Sequence, residues 1–332
     1  MTRTTPSPYR LAPNLFGIGF GIAGLAQAWS AAADTVAAPA WPSYVLWILA
    51  AVVWLVTLAA YLRNVIAQGR LRSEVPNPTT GPFTALAVIV PMLLGIGLAP
   101  HARTAGEIVY AVALVLTVLL GGWLTSLWIR SDTELAQWHP GYFLPTVAGG
   151  LIAAACSAVL GWTTLSHVML GYGLICWFVL GSILLLRLFT QPALPPALLP
   201  TMAIELAPPV VAGNAWFAVN GGRLDLVAAL LAGYAVLMVL VQIGLAGTYR
   251  RVPFGPGHWA FAFSYAAAFT NGVHWLAVEH VHGQKALTYL VLAIATLAFA
   301  ALAARTVVGL VRHDFLPRLP VDPPVHVQRP TG

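Results

Sequence analysis

The sequence predicts an all-α integral membrane protein of ten transmembrane helices, paired as five tandem hairpins, and three observations predict it. Charged residues make up 8% of the 332 positions, against roughly 25% in soluble domains. Apolar residues reach 59% before the 30 glycines are counted, and mean hydropathy is +0.82. Apolar runs of about 20 residues, the length that crosses a bilayer core, recur between turn signals along the whole chain. These values exclude an ordinary soluble enzyme and a disordered chain. The net charge of +6 does not indicate nucleic acid, because the cations are scattered and form no basic stripe.

The spans fall at 13–33, 43–62, 82–99, 106–129, 141–162, 167–189, 197–219, 224–247, 257–278 and 286–309. Residues 1–12 and 311–332 are then cytoplasmic tails around a ten-helix pore domain over 13–310. Apart from Arg103, Arg223 and Lys285, every Lys and Arg falls on one side of this map. Arg3 and Arg10 precede the first span, Arg63, Arg70 and Arg72 follow the second, and Arg312, Arg318 and Arg329 follow the tenth. The positive-inside rule therefore places both termini in the cytoplasm of a multi-pass plasma (inner) membrane protein. Arg3, Arg10, the first apolar run and Ala31-Ala32-Ala33 mimic a signal peptide. The run is of full spanning length, however, and its removal would spoil the charge alternation, so it is expected to be retained.

After the first hairpin the odd spans recur at a period of about 60 residues, as tandem helical hairpins would. The even spans are rich in Leu, Val and Ala, as lipid-facing helices should be. The odd spans carry the breakers: Gly17, Gly19, Gly21 and Gly24; Pro91, Gly95 and Gly97; Pro145, Gly149 and Gly150; Pro200, Pro208, Pro209 and Gly213. An interior proline frees the carbonyl four residues back, which a membrane tolerates only where protein or water covers it. An inner ring of five bent odd helices around a central pore, wrapped by five even ones, satisfies that condition. Gly21, Pro91, Pro145 and Pro209 are candidate pore-lining positions.

Few residues carry chemistry. Gly19-x-Gly21-x-x-Gly24 matches a dinucleotide fingerprint in letters but follows no strand and has no acidic partner; close helix packing explains it better. Cys156 and Cys176 lie in apolar runs and suit core packing. Most of the nine histidines fall in loops or at helix starts, and no pair matches in depth for a haem, so no cofactor, metal or catalytic residue is expected. Glu205 is the one carboxylate in the middle of a span, where ionisable groups are costly and functional by default; a hydrogen-bonded structural role is the competing explanation. In the ninth span Phe261 and Phe263 point to different sides, and Phe263, Ala267, Thr270 and His274 form one stripe. A bulky ring above small residues could form a hydrophobic constriction, but on spacing alone core packing is the better reading.

Four stretches carry a resemblance: PNLFGIGFGIAGLAQAW at 13–29, GYFLPTV at 141–147, PTMAIELAPPVVAGNAWFAVNGG at 200–222 and WAFAF at 259–263. Through them the chain resembles the tellurite-resistance and dicarboxylate-transporter (TehA-like) family, which includes the slow-type anion channels of plant guard cells. The resemblance implies a homotrimer with one pore per protomer, lined by the odd helices. It implies that Phe263, the second Phe of W-x-F-x-F, occludes the pore, and that small inorganic or organic anions pass, dicarboxylates among them. Two positions depart from the pattern. Ser264 replaces the proline or glycine that follows the gate, and Glu205 replaces a neutral amide, where a carboxylate lining an anion pore would oppose permeation. The expected function is an anion channel or transporter rather than an enzyme, with small anions and the lipid bilayer as partners. Glu205 and His274 are candidates for pH dependence. Proton-coupled dicarboxylate export is the alternative, and a membrane-embedded redox enzyme a more distant one.

Overall fold

The computed structural model describes residues 9–317. Along them run α1 (Gly17–Val36), α2 (Trp41–Ala67), a short α3 (Leu71–Glu74), α4 (Leu86–Leu98), α5 (Arg103–Arg130), α6 (Gly149–Val159), α7 (Thr163–Thr190), α8 (Ala207–Asn220), α9 (Leu226–Tyr249), α10 (Ala260–Val278) and α11 (Gln284–Val311). The fold is all-helical, and nine spans among the described residues are long and apolar enough to cross a membrane. The expected ninth span, α10, is helical over 19 residues. It is less apolar than the rest, because Ser264, Tyr265, Thr270, Asn271 and His274 lie along it. Arg3, Arg318 and Arg329, with most of both tails, lie outside the described residues.

Five of these helices share a construction that periodicity alone did not reveal. Each is entered through a 3-10 turn with proline at its first or second position: Pro13–Phe16, Gly81–Ala85, Pro140–Phe143, Leu199–Leu206 and Pro256–Trp259. They lead into α1, α4, α6, α8 and α10, in the third case through a π turn at Leu144–Ala148. Proline fits there because the first N–H groups of a helix have no intrahelical acceptor to lose. The breakers expected to bend the odd spans therefore act mostly at their entries. Among the breaker prolines only Pro91 sits inside an α-helix. Pro145 lies in the π turn, and Pro208 and Pro209 stand in the first turn of α8. The carbonyl that Pro91 frees belongs to Ala87, and the Trp54 indole N–H donates to it at 3.0 Å.

The same five helices touch in cyclic order, α1 to α4, α4 to α6, α6 to α8, α8 to α10 and α10 back to α1. α2, α5, α7, α9 and α11 each pack on the helix that precedes them in their hairpin, and their outer faces expose Ile48, Val56, Leu119, Phe178, Leu240 and Leu297. Glycine sets the closest approach, between α1 and α10. A Cβ on Gly21 would collide with that of Ala262, and one on Gly24 would lie 2.9 Å from that of Ala266. The glycine-rich run is therefore a packing seam, held by dispersion contacts between small residues.

The two ends of the described residues meet at the proline-turn end of this assembly. Arg10 N–H donates to the Pro317 carbonyl at 2.8 Å. Asn64 clasps the strand on both sides, accepting from Leu11 N–H and donating to the Tyr9 carbonyl. Glu74, 2% exposed, pairs with Arg10 at 3.3 Å and with Arg70.

Candidate functional site

Between the five proline-entered spans lies a cavity of ≈ 360 Å³, and each of the five contributes to its wall. It opens at Arg10, Ala12, Thr80 and Pro317 and narrows to Phe20 and Phe263. Phe263 stands seven residues beyond Pro256, about 10 Å deeper at helical rise. Beyond Ser264 no residue of α10 lines the cavity, so it is blind at the level of Phe263. There the Phe263 ring stacks on the Phe20 ring, with centroids 3.6 Å apart and planes 11° apart. Both side chains are buried. Gly24 makes room for this pair, since a Cβ on it would lie 3.0 Å from the Phe263 ring. Phe261 points elsewhere, edge-on to Tyr249 of α9 at 4.8 Å.

Phe20 was not singled out by the sequence. Its signal was there: it is the one aromatic side chain inside Gly17–Gly24, a run whose glycines and alanine serve close approach. The remaining candidates are placed as follows. Ala267 and Thr270 are buried on α10 past the blind end, with Thr270 Oγ1 donating to the Ala266 carbonyl and the Ala267 carbonyl accepting from Asn214 at 3.0 Å. His274 lies a further turn away beside Phe217, centroids 5.8 Å apart. Gly21 belongs to the α1–α10 seam. Pro91, Pro145 and Pro209 are absent from the cavity wall, where Pro208 appears instead.

Glu205 is 6% exposed and its Oε1 has no hydrogen-bond partner among the described residues. It too is absent from the cavity wall, although Thr201 and Ile204 on the same turn belong to it. It lies instead on the side of α9, within electrostatic reach of Tyr234 and Tyr249. Nearby on that helix, Gln242 donates to the Met202 carbonyl at 3.0 Å and accepts from Tyr249 at 2.8 Å. The departure from a neutral amide therefore places a carboxyl group behind the wall rather than in the cavity.

One buried histidine braces the wall. His139 is fully buried; its Nδ1 accepts from Gly141 N–H at 3.1 Å, so Nε2 carries the proton and donates to the Thr79 carbonyl at 3.1 Å. Phe83, a cavity residue, stacks on its ring at 5.5 Å. Burial holds the imidazole neutral and pushes its pKa down to about 4, against the opposing pull of the Pro78 and Thr79 backbone.

These features define a polytopic helical membrane protein whose buried spans enclose a blind cavity closed by stacked aromatic rings. The family described as SLAC1, voltage-dependent anion channel, matches residues 10–307, and the chain belongs to it. A tellurite resistance protein TehA homolog of Haemophilus influenzae is 30% identical over 270 residues, covering 80% of this chain and 81% of the relative. The family consists of anion channels and transporters rather than enzymes. The chain is thus a multi-pass membrane protein of that family.

Proposed function

We propose that the protein conducts small inorganic or organic anions through a pore along the axis of the five proline-entered helices, with Phe263 as its gate and Phe20 as the face it closes on. The cyclic contacts of α1, α4, α6, α8 and α10 support an inner ring, and the exposed faces of the other five support an outer, lipid-facing ring. The observation that carries the reading is the Phe20–Phe263 stack across the blind end of a cavity to which all five contribute. Stacked rings exclude water sterically and by dewetting, with no covalent chemistry. Rotating one ring away joins the cavity to the small residues Ala267 and Thr270 beyond. Both chain ends and the cavity mouth lie in the cytoplasm of the plasma (inner) membrane, on the side where cations concentrate anions. The assembly is a homotrimer with one pore per protomer, to be checked by the native mass of the purified protein. A contribution to tellurite resistance follows the relative's name.

The test is anion flux into proteoliposomes with chloride, nitrate and malate, comparing wild type, Phe263→Ala and Phe20→Ala. Small wild-type flux that rises at least tenfold in Phe263→Ala and less in Phe20→Ala, with anions favoured over potassium, is the expected result. Silence of folded Phe263→Ala to every anion removes the gate.

Proton-coupled export is favoured by one feature, the buried unpaired Glu205. Placed behind the wall beside the α9 tyrosines, it would act on the pore through α10 and Tyr265, which also reaches Gln242 at 3.4 Å. His274, past the gate, is the second group proposed to set pH dependence. Glu205→Gln keeps the shape and removes the titration, so it should fold normally and flatten the pH profile of flux. Superimposable profiles eliminate Glu205 as a proton site.

A further inference from the structure

The cavity is divided in its chemistry. Its deep wall is apolar, formed by Leu86, Leu144, Val147, Ile204 and Val211 above the two phenylalanines. Two hydroxyls reach it, but Thr201 donates to the Leu198 carbonyl at 2.6 Å and Ser264 to that of Ala260 at 3.3 Å. Neither has a proton left to offer an anion.

The mouth differs. Arg10 lines it and commits its Nη2 to Glu74 at 3.3 Å. Its Nε–H is buried and has no acceptor among the described residues. Asn14 lines the same cavity, and its Oδ1 is equally buried and unpartnered. Oxygen and nitrogen of a side-chain amide exchange places by a simple flip, which turns this orphan acceptor into a donor. These two atoms are sealed from the cavity, but the Arg10 side chain as a whole is 32% exposed, and it is the one charged group among the described residues of the wall.

We propose that the cavity is a binding site for a monocarboxylate with an apolar body, its head taken at the mouth by the Arg10 guanidinium and the Asn14 amide and its hydrocarbon laid against the closed Phe20–Phe263 pair. The inference rests on the reading of this cavity as the pore's inner chamber, and it narrows the class of anion. A chloride ion would leave the apolar wall bare. A dicarboxylate would carry its second charge among side chains that have no donor for it, which burial penalises heavily. The volume sits at the low end of small-molecule sites, roughly 300–1,000 Å³.

The experiment is calorimetric titration of the purified full-length protein in micelles with benzoate, acetate and succinate, corrected with empty micelles. Benzoate should bind at least about tenfold more tightly than acetate, which shares its head, and than succinate, which adds a second. Arg10→Gln should weaken benzoate about tenfold. Ala148→Phe, which fills the wall and leaves the Arg10–Glu74 pair intact, should abolish binding without lowering the melting temperature, and it decides the matter if Arg10→Gln fails to fold. Equal affinities for the three acids, tightest binding of succinate, or benzoate binding untouched by Ala148→Phe each overturn the proposal. Chloride conduction by Phe263→Ala with no benzoate binding sinks this site and leaves the gate standing. Benzoate binding with Phe263→Ala silent to all anions keeps the site and sinks the gate.

Discussion

His139 shows how much one side chain's environment decides. Neutral imidazole satisfies Gly141 N–H and the Thr79 carbonyl at once; a second ring proton would displace the first of these. Because burial lowers the folded pKa to about 4, the unfolded chain takes up a proton at higher pH than the folded one. Stability from this residue is thus complete above the ordinary histidine pKa, is lost progressively as pH falls toward about 4, and then levels off. The loss amounts to about 3 kcal/mol. Denaturation midpoints measured across that window should slope for wild type and flatten for His139→Gln; identical slopes would show the histidine to be a bystander. The sequence placed His139 in a loop, and only the fold revealed that the loop is buried beneath Phe83. Phe263 was nominated from the W-x-F-x-F stretch, whereas Phe20 stayed hidden. A partner across the axis is a property of two helices far apart in sequence, and no periodicity within one of them reports it.

At the scale of elements, hairpin periodicity and the breaker pattern were legible because membrane spans must be long and apolar and their exceptions stand out. The ends were placed within about five residues at every span, and α2, α5, α7 and α11 run longer than expected because the helix continues past the apolar run through polar residues such as Arg63, Asn64, Arg103 and Lys285. Which prolines are interior was not legible, for a physical reason. A proline's effect depends on whether its residue stands inside a helix or in its first turn, and turn type is not encoded by composition. Pro91 is the one breaker proline that behaves as an interior kink should, and its consequence is specific. The freed Ala87 carbonyl, inside the bilayer, takes its hydrogen from Trp54 of α2. Trp54→Phe keeps the ring and removes the donor, so it should cost about 1–3 kcal/mol. Trp54→His, with a ring N–H restored, should recover part of that loss in detergent melting curves. A Trp54→Phe protein as stable as wild type would show that water or a shifted helical turn satisfies the carbonyl.

At the scale of the whole molecule, five hairpins in series can close into a cycle only if the last is fastened to the first. The α1–α10 glycine seam does this through the membrane, and the Trp29 indole adds to it by donating to Thr296 of α11 at 3.1 Å, while Trp259 to Thr306 at 3.0 Å holds the fifth hairpin together. Outside the membrane the closure depends on the terminal strands, which meet across the Arg10–Pro317 bond beside the cavity mouth. Glu74 is the pivot of that closure, because it is buried and shared by Arg10 and Arg70. Taking away its carboxylate leaves two guanidinium groups facing each other with nothing between them, a change that costs about 3–5 kcal/mol where a buried pair is broken. Glu74→Ala should therefore lower the melting temperature markedly, while Arg72→Gln, two residues away and exposed, should stay within about 0.5 kcal/mol of wild type. The same Glu74→Ala protein should release Arg10 from its pairing and so alter the concentration at which anions on the Arg10 side saturate flux in the Phe263→Ala background. A Glu74→Ala variant that melts like wild type would mean that the helices hold the cycle closed by themselves and that the terminal strands merely rest on it.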